Sequence, residues 1–259
     1  MSTITTKPLP GTSIDPLYPE SDGEPLGETH FHVMAILHLY AALTSFFRNR
    51  DDVYVVADMF LYYEQGNPTA CKAPDVMVVA GVASKHPRRS FRTWEEGVVP
   101  TVIFEVTSSK TRHEDDVTKP RVYAALGVKE YFKFDPDCAG LEPALAGYRL
   151  QGGVYRPLTH DAAGLLTSQE LGLSFEAESP LLRLIDVQTG KRLLTDSELR
   201  EQFDEARHEL DAERERANDE HERANDERER ANAEHRRVAA LEAELARLRA
   251  AQNRPQPPA

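Results

Sequence analysis

The sequence predicts a mixed α/β domain followed by a long helix, and three observations carry that expectation. Four runs rich in apolar β-branched and aromatic residues, "DVYVVADMFLYY", "APDVMVVAG", "TVIFEVTSS" and "KEYFKFDP", are bounded by turn residues in the manner of strands. A helical segment, "HEDDVTKPRVYAALG", separates the last two, and a strand–helix–strand step favours a parallel pair joined by a right-handed crossover. From Glu213 onward the chain changes in kind, to successive seven-residue blocks of charged residues and alanine, the period of a long helix or coiled coil.

Residues 1–26 are rich in Pro, Ser, Thr, Gly and acids and show no period, so they read as a mobile lead, part of which drapes over the domain. Residues 27–195 hold almost all the aromatic and β-branched residues and therefore the core. Their first segment, "GETHFHVMAILHLYAALTSFFRN", reads as a helix capped by Thr29, with Phe31, Met34, Leu37, Ala41, Leu43 and Phe47 recurring at helical spacing. The strand-like runs follow. In the later helix, Pro120 fits if the first turn begins near Thr118, where its missing N–H costs little, and Gly127 ends it. "LAGYRL" and "GGVYRPL" form a hairpin across Gln151 to Gly153.

Residues 196–250 are the heptad helix. Placing Ala217, Ala224, Ala231, Val238 and Leu245 at position a puts Glu220, Glu227 and Glu234 at d, so an apolar seam is expected only from Val238 through Leu241, Leu245 and Leu248. A solvated single helix and a homo-oligomer paired through 238–248 are both open readings. Residues 251–259 read as a disordered tail.

Composition narrows the class. The formal net charge of −12 argues against broad, non-specific nucleic-acid binding, although a local basic patch is compatible with it. Cys71 and Cys138 stand in no paired or metal-ligand spacing, which argues against a disulfide scaffold or a thiolate zinc site. No apolar run approaches the roughly 20 residues of a membrane span, and "MSTITTKPLP" lacks the apolar centre of a signal peptide, so a cytoplasmic location is expected.

Three residues invite chemistry. Asp75 follows Pro74 at the start of one strand, Glu105 is set inside the apolar strand after it, and Lys119 lies on the following helix. Carboxylates on adjacent strands can hold a hard divalent cation, Mg²⁺ or Mn²⁺, which acidifies a bound water and stabilises charge on a phosphate. A nearby lysine can position that water or neutralise developing charge. Taken singly, each has a bland reading: a turn, an edge-strand acid and a surface lysine. His30, His32 and His38 fit helix capping and packing better than zinc, since nothing completes a ligand set at the right spacing. Arg88, Arg89 and Arg92, with Lys85 and His86, form a basic loop that is the best candidate for phosphate contact, with a solvated surface loop as its alternative.

The segments "GETHFH", "APDVMVV" and "VIFEVTSSKTRHEDDVTKPRVYAALGVKEYFKFDP" resemble the Uma-two family of PD-(D/E)XK endonucleases over about residues 25–195. The resemblance implies a restriction-endonuclease-like core that hydrolyses DNA with Mg²⁺ or Mn²⁺. In it Asp75 matches the first aspartate and Glu105 the acid of the (D/E)XK element. Thr107 stands where the general pattern has lysine, and Lys119 matches a lysine migrated to the helix, with Lys110 as a weaker alternative. The same resemblance implies supporting roles for Ser108, near the metal water or in ordering the loop, and for Asp115, or Asp116 in its place, in orienting Lys119. Glu28 becomes a candidate third ligand, His32 matches a family histidine, and Tyr123 falls on the Lys119 face with core packing as its expected job. Two functions follow: a metal-dependent endodeoxyribonuclease, or a non-catalytic interaction protein that carries a degenerate nuclease core on a coiled coil.

Overall fold

The computed structural model describes residues 15, 17–19, 28–107, 117–138 and 141–252, with side chains up to 247. It divides into two units, Met1–Thr195 and Asp196–Ala259.

The first unit opens with α1 (His30–Phe46), where the Thr29 side chain accepts from the His32 N–H at 3.2 Å. Then come β1 (Val53–Ala57), β2 (Leu61–Tyr62), β3 (Cys71–Lys72), β4 (Val76–Ala80), β5 (Phe91–Arg92), the short α2 (Thr93–Glu96) and β6 (Val102–Val106). After α3 (Lys119–Leu126) the chain runs through β7 (Glu130–Phe134), β8 (Leu145–Gln151), β9 (Val154–Pro157), β10 (Leu166–Ser168), β11 (Leu173–Glu178) and β12 (Leu181–Asp186).

The main sheet has the order β1-β4-β6-β7-β8-β9. Its one parallel pair among the described residues is β6 with β7, the pair that α3 separates in sequence, as a crossover connection requires. The other four pairings are antiparallel. Pro120 lies in the first turn of α3, and Gly127 closes the helix with φ +86°, a left-handed cap that glycine adopts without a Cβ penalty. Gly152 and Gly153, at φ +59° and +81°, make the two-residue turn between β8 and β9.

Strand alternation divides the core between the two faces. Val76, Val78, Val102, Phe104, Val106 and Phe132 pack with α1 and the β10-β11-β12 sheet. Met77, Val79, Ile103 and Tyr131 pack with Tyr123 of α3 and with Leu61 and Phe91 of a small sheet, β3-β2-β5.

Two expectations need correction. The run 52–63 is not one strand: Asp58, at φ +47°, donates its N–H to the Asp75 carbonyl, and this turn sends β2 into the second sheet. The buried stripe of α1 is His32, Ala35, Leu39, Ala42 and Leu43, whereas Phe31, Met34, Leu37 and Ala41 face outward, Leu37 being 60% exposed. Small residues on the inner stripe let the helix lie close to the sheet. The lead contributes Tyr18, a buried ring set against Tyr62 and Trp94, whose hydroxyl accepts from the Gly66 N–H at 2.6 Å.

Tyr62 and Cys71 face each other in the β2–β3 register. Burial pushes the Tyr62 phenol up to about 12 and the Cys71 thiol up to about 11. The folded chain therefore keeps protons that the unfolded chain releases from about pH 9 upward. That stability is fully present below the unfolded values and is lost as pH rises through the folded ones. The melting temperature is accordingly expected to fall between about pH 9 and 12. Cys71→Ala should flatten the lower part of that fall; an unchanged slope would assign it to other groups.

Candidate active site

Glu105 belongs to the same strand face as Ile103, the one that α3 covers, and it is fully buried. A buried carboxylate needs partners, and α3 supplies two from successive turns. Lys119 Nζ donates to Glu105 Oε2 at 2.8 Å, and the Tyr123 hydroxyl donates to Oε1 at 2.7 Å. The spacing of four residues puts both side chains on one helix face. The Tyr123 phenol is held well above its usual range, first by burial and then by the charge of Glu105, with Asp75 contributing, so it stays a neutral donor.

Asp75 enters from the neighbouring strand. Val76 pairs with Phe104, so the β4–β6 register carried one step further sets Asp75, just before β4, opposite Glu105. Asp75 Oδ2 accepts the Val106 N–H at 2.6 Å, which ties the carboxylate to the strand carrying Glu105. Its Oδ1 lies 3.6 Å from His32 Nε2, and His32 Nδ1 lies 3.8 Å from Glu28. Glu28, His32, Val33, Ile36, Asp58 and Asp75 line a cavity of about 360 Å³.

Asp75, Glu105 and Lys119 are thus brought together. Glu28 reaches the group through His32. Ser108, Asp115, Lys110 and Asp116 lie outside the described residues. Thr107 is buried and joins β6 to β7, its N–H donating to the Phe134 carbonyl at 2.7 Å. Two arginines of the basic loop, Arg88 and Arg92, are engaged within the fold. Arg88 is ion-paired with Glu96, donates to the Ser84 and His86 carbonyls, and stacks 4.5 Å from the Tyr54 ring centroid. Arg92 pairs with Asp15 and Glu95 at 3.0 Å and lies over Tyr18. Arg89 is exposed.

The donor set suits a hard divalent ion. It offers two carboxylates on adjacent strands and no thiolate, and Mg²⁺ is commonly held by one or two carboxylates with waters completing the octahedron. No group of three or more His, Cys, Asp or Glu side chains able to hold a metal ion occurs among the described residues.

The Uma2 model, described as "Putative restriction endonuclease", matches residues 16–185. The chain belongs to the Uma2 family. The mixed sheet of this Uma2 protein, with β6 and β7 parallel across α3, is a restriction-endonuclease-like core. Among solved structures, the chain is similar to one titled as a putative nuclease belonging to DUF820 from Anabaena variabilis ATCC 29413, at 14% identity and a TM-score of 0.43, covering 57% of this chain and 76% of that one. No curated protein matches the sequence. No helix among the described residues is long and apolar enough to cross a membrane.

Two features of this Uma2 chain escaped the sequence reading. The Tyr123 hydroxyl binds Glu105 as well as packing in the core; its spacing from Lys119 was the available signal. Glu130, fully buried on β7, accepts from Arg149 at 2.8 and 3.0 Å, from the Ser168 hydroxyl and from the Gln169 N–H at 3.1 Å. Nothing local marks that second carboxylate as paired.

Proposed function

We propose that the protein is a divalent-metal-dependent endonuclease that hydrolyses phosphodiester bonds in DNA. The observation carrying this reading is the convergence of Lys119 on Glu105, which stands opposite Asp75 when the β4–β6 register is carried one step past Val76 and Phe104, in a chain of the family described as "Putative restriction endonuclease". Asp75 and Glu105 would hold Mg²⁺ or Mn²⁺. The ion supplies an acidified water and charge stabilisation at the phosphate.

The chain's own groups do the positioning. Tyr123 stays protonated and fixes Glu105 Oε1, while the Val106 N–H fixes Asp75 Oδ2. Lys119 orients the attacking water and offsets negative charge as the phosphorane-like transition state forms. His32, itself beside Glu28, stands next to Asp75 Oδ1. DNA is preferred as substrate on the family's description.

The test is conversion of supercoiled plasmid to nicked and linear forms by purified protein, with Mg²⁺ and with chelator. Lys119→Ala should slow cleavage by on the order of 10²-fold, and Lys119→Arg should restore part of the loss. Cleavage indifferent to chelator, or undiminished in Lys119→Ala, would overturn the reading. A second reading, an interaction protein that associates through 238–248, is favoured by the outward apolar side chains of Val238, Leu241 and Leu245. Association and cleavage are compatible.

A further inference from the structure

The second unit is a helix, α4 (Asp196–Gln252), which at 1.5 Å per residue is roughly 85 Å long. Because it runs unbroken from Asp196, the heptad can be followed back beyond the charged repeat. With Val238 and Leu245 at a, Phe203 and Leu210 also fall at a, and Leu199 and Ala206 fall at d. Apolar residues thus occupy both ends of a single stripe. They are open: Leu199 is 57%, Phe203 70%, Leu210 48%, Leu241 53% and Leu245 53% exposed. Between them the stripe alternates alanine at a (Ala217, Ala224, Ala231) with glutamate at d (Glu213, Glu220, Glu227, Glu234).

We propose that α4 is a self-association surface whose occupant is α4 of a second copy, running antiparallel about a dyad between Asn225 and Asp226. Charge decides the direction. In a parallel, in-register pair each d glutamate would face its own copy, stacking four like-charged layers in the seam, and its flanking e residues would be only Arg214, His221, Arg228 and His235. In the antiparallel pair each a layer meets a d layer. Leu210 meets Leu241 of the second copy, Leu245 meets Ala206, Ala217 meets Glu234 and Ala224 meets Glu227. The small alanines leave room for the glutamate stems. The g residues Arg216, Arg223, Arg230 and Arg237 then stand one residue off the level of Glu234, Glu227, Glu220 and Glu213 of the second copy, an arginine beside every seam glutamate. At the ends, Leu210 and Ala206 of one helix are covered by Leu241 and Leu245 of the other, and Val238 packs on the stem of Glu213. This inference is independent of the catalytic reading.

The experiment uses the full chain. Sedimentation at tens of micromolar should give a dimer, and Leu210→Lys or Leu241→Lys should raise its dissociation constant by at least about 100-fold through the buried charge. Direction is read by oxidative crosslinking in a Cys71→Ser, Cys138→Ser background. A mixture of Leu210→Cys chains with Leu241→Cys chains should form the mixed disulfide, and each chain alone should remain uncrosslinked. A monomeric wild-type chain would overturn the proposal. So would self-crosslinking of Leu210→Cys alone, which marks a parallel pair. Helix content by circular dichroism separates loss of pairing from loss of the helix.

Discussion

Asp75→Asn and Glu105→Gln are each expected to lower Mg²⁺-dependent DNA cleavage by on the order of 10³-fold or more, with the fold intact. These isosteric changes are the sharpest test because each carboxylate also has a structural job. Asn at 75 can still accept the Val106 N–H through its amide oxygen, so the join between β4 and β6 survives. Gln at 105 can still accept from Tyr123 or Lys119, but it no longer carries the charge that offsets the buried ammonium, the Lys119 side chain being 11% exposed. Alanine at either position would mix loss of a ligand with loss of packing. Metal binding gives a second readout. A ligand bound only by the folded state raises the melting temperature, so Mn²⁺ should stabilise the wild-type chain and do so less in either variant. If both variants cut as fast as wild type, the assignment of these carboxylates to catalysis is wrong. If Mn²⁺ shifts all three melting curves equally, the ion binds elsewhere.

Glu130→Ala should be the most destabilising single change away from that site, at about 3–5 kcal/mol, the usual cost of breaking a buried pair by removing one partner. Glu130 is fully buried and gathers the Arg149 guanidinium, the Ser168 hydroxyl and the Gln169 N–H, so it bonds the main sheet to the segment that opens the β10-β11-β12 sheet. The Arg149 side chain is 24% exposed and recovers some hydration, which favours the lower end of the range. For a unit of this size the melting temperature should fall by on the order of 10 °C. Glu130→Gln keeps the acceptor oxygen and should cost less. The discriminating result is double substitution: Glu130→Ala with Arg149→Leu should be less damaging than Glu130→Ala alone, since no charge is left stranded. Equal damage would mean that packing, rather than the ion pair, dominates.

What could be read from the chain itself was whatever depends on near neighbours. Strand character in 76–80, 102–106 and 130–134, the first turn of α3 around Pro120, its Gly127 cap and the glycine turn of the last hairpin all arise from side-chain alternation and backbone preference within a few residues. The order Asp75, Glu105, Lys119 was legible for the same reason: an acid among apolar strand residues is costly wherever the strand goes, so it announces a partner. The heptad of α4 is likewise a periodic, local signal. Tertiary structure decided the rest. The apolar residues of α1 were visible, but the stripe that turns inward is set by how closely the helix approaches the sheet, and that selected Ala35 and Ala42 over Phe31 and Leu37. Whether Arg88 and Arg92 reach solvent or bind Glu96, Asp15 and Glu95 depends on acids brought in by other turns of the chain. Lys119 reaches Glu105, Val106 closes on Asp75, and Arg149 and Ser168 meet at Glu130 only once the strands are in register. Those pairings join residues far apart in the chain, and periodicity carries no information about which distant groups share a rung.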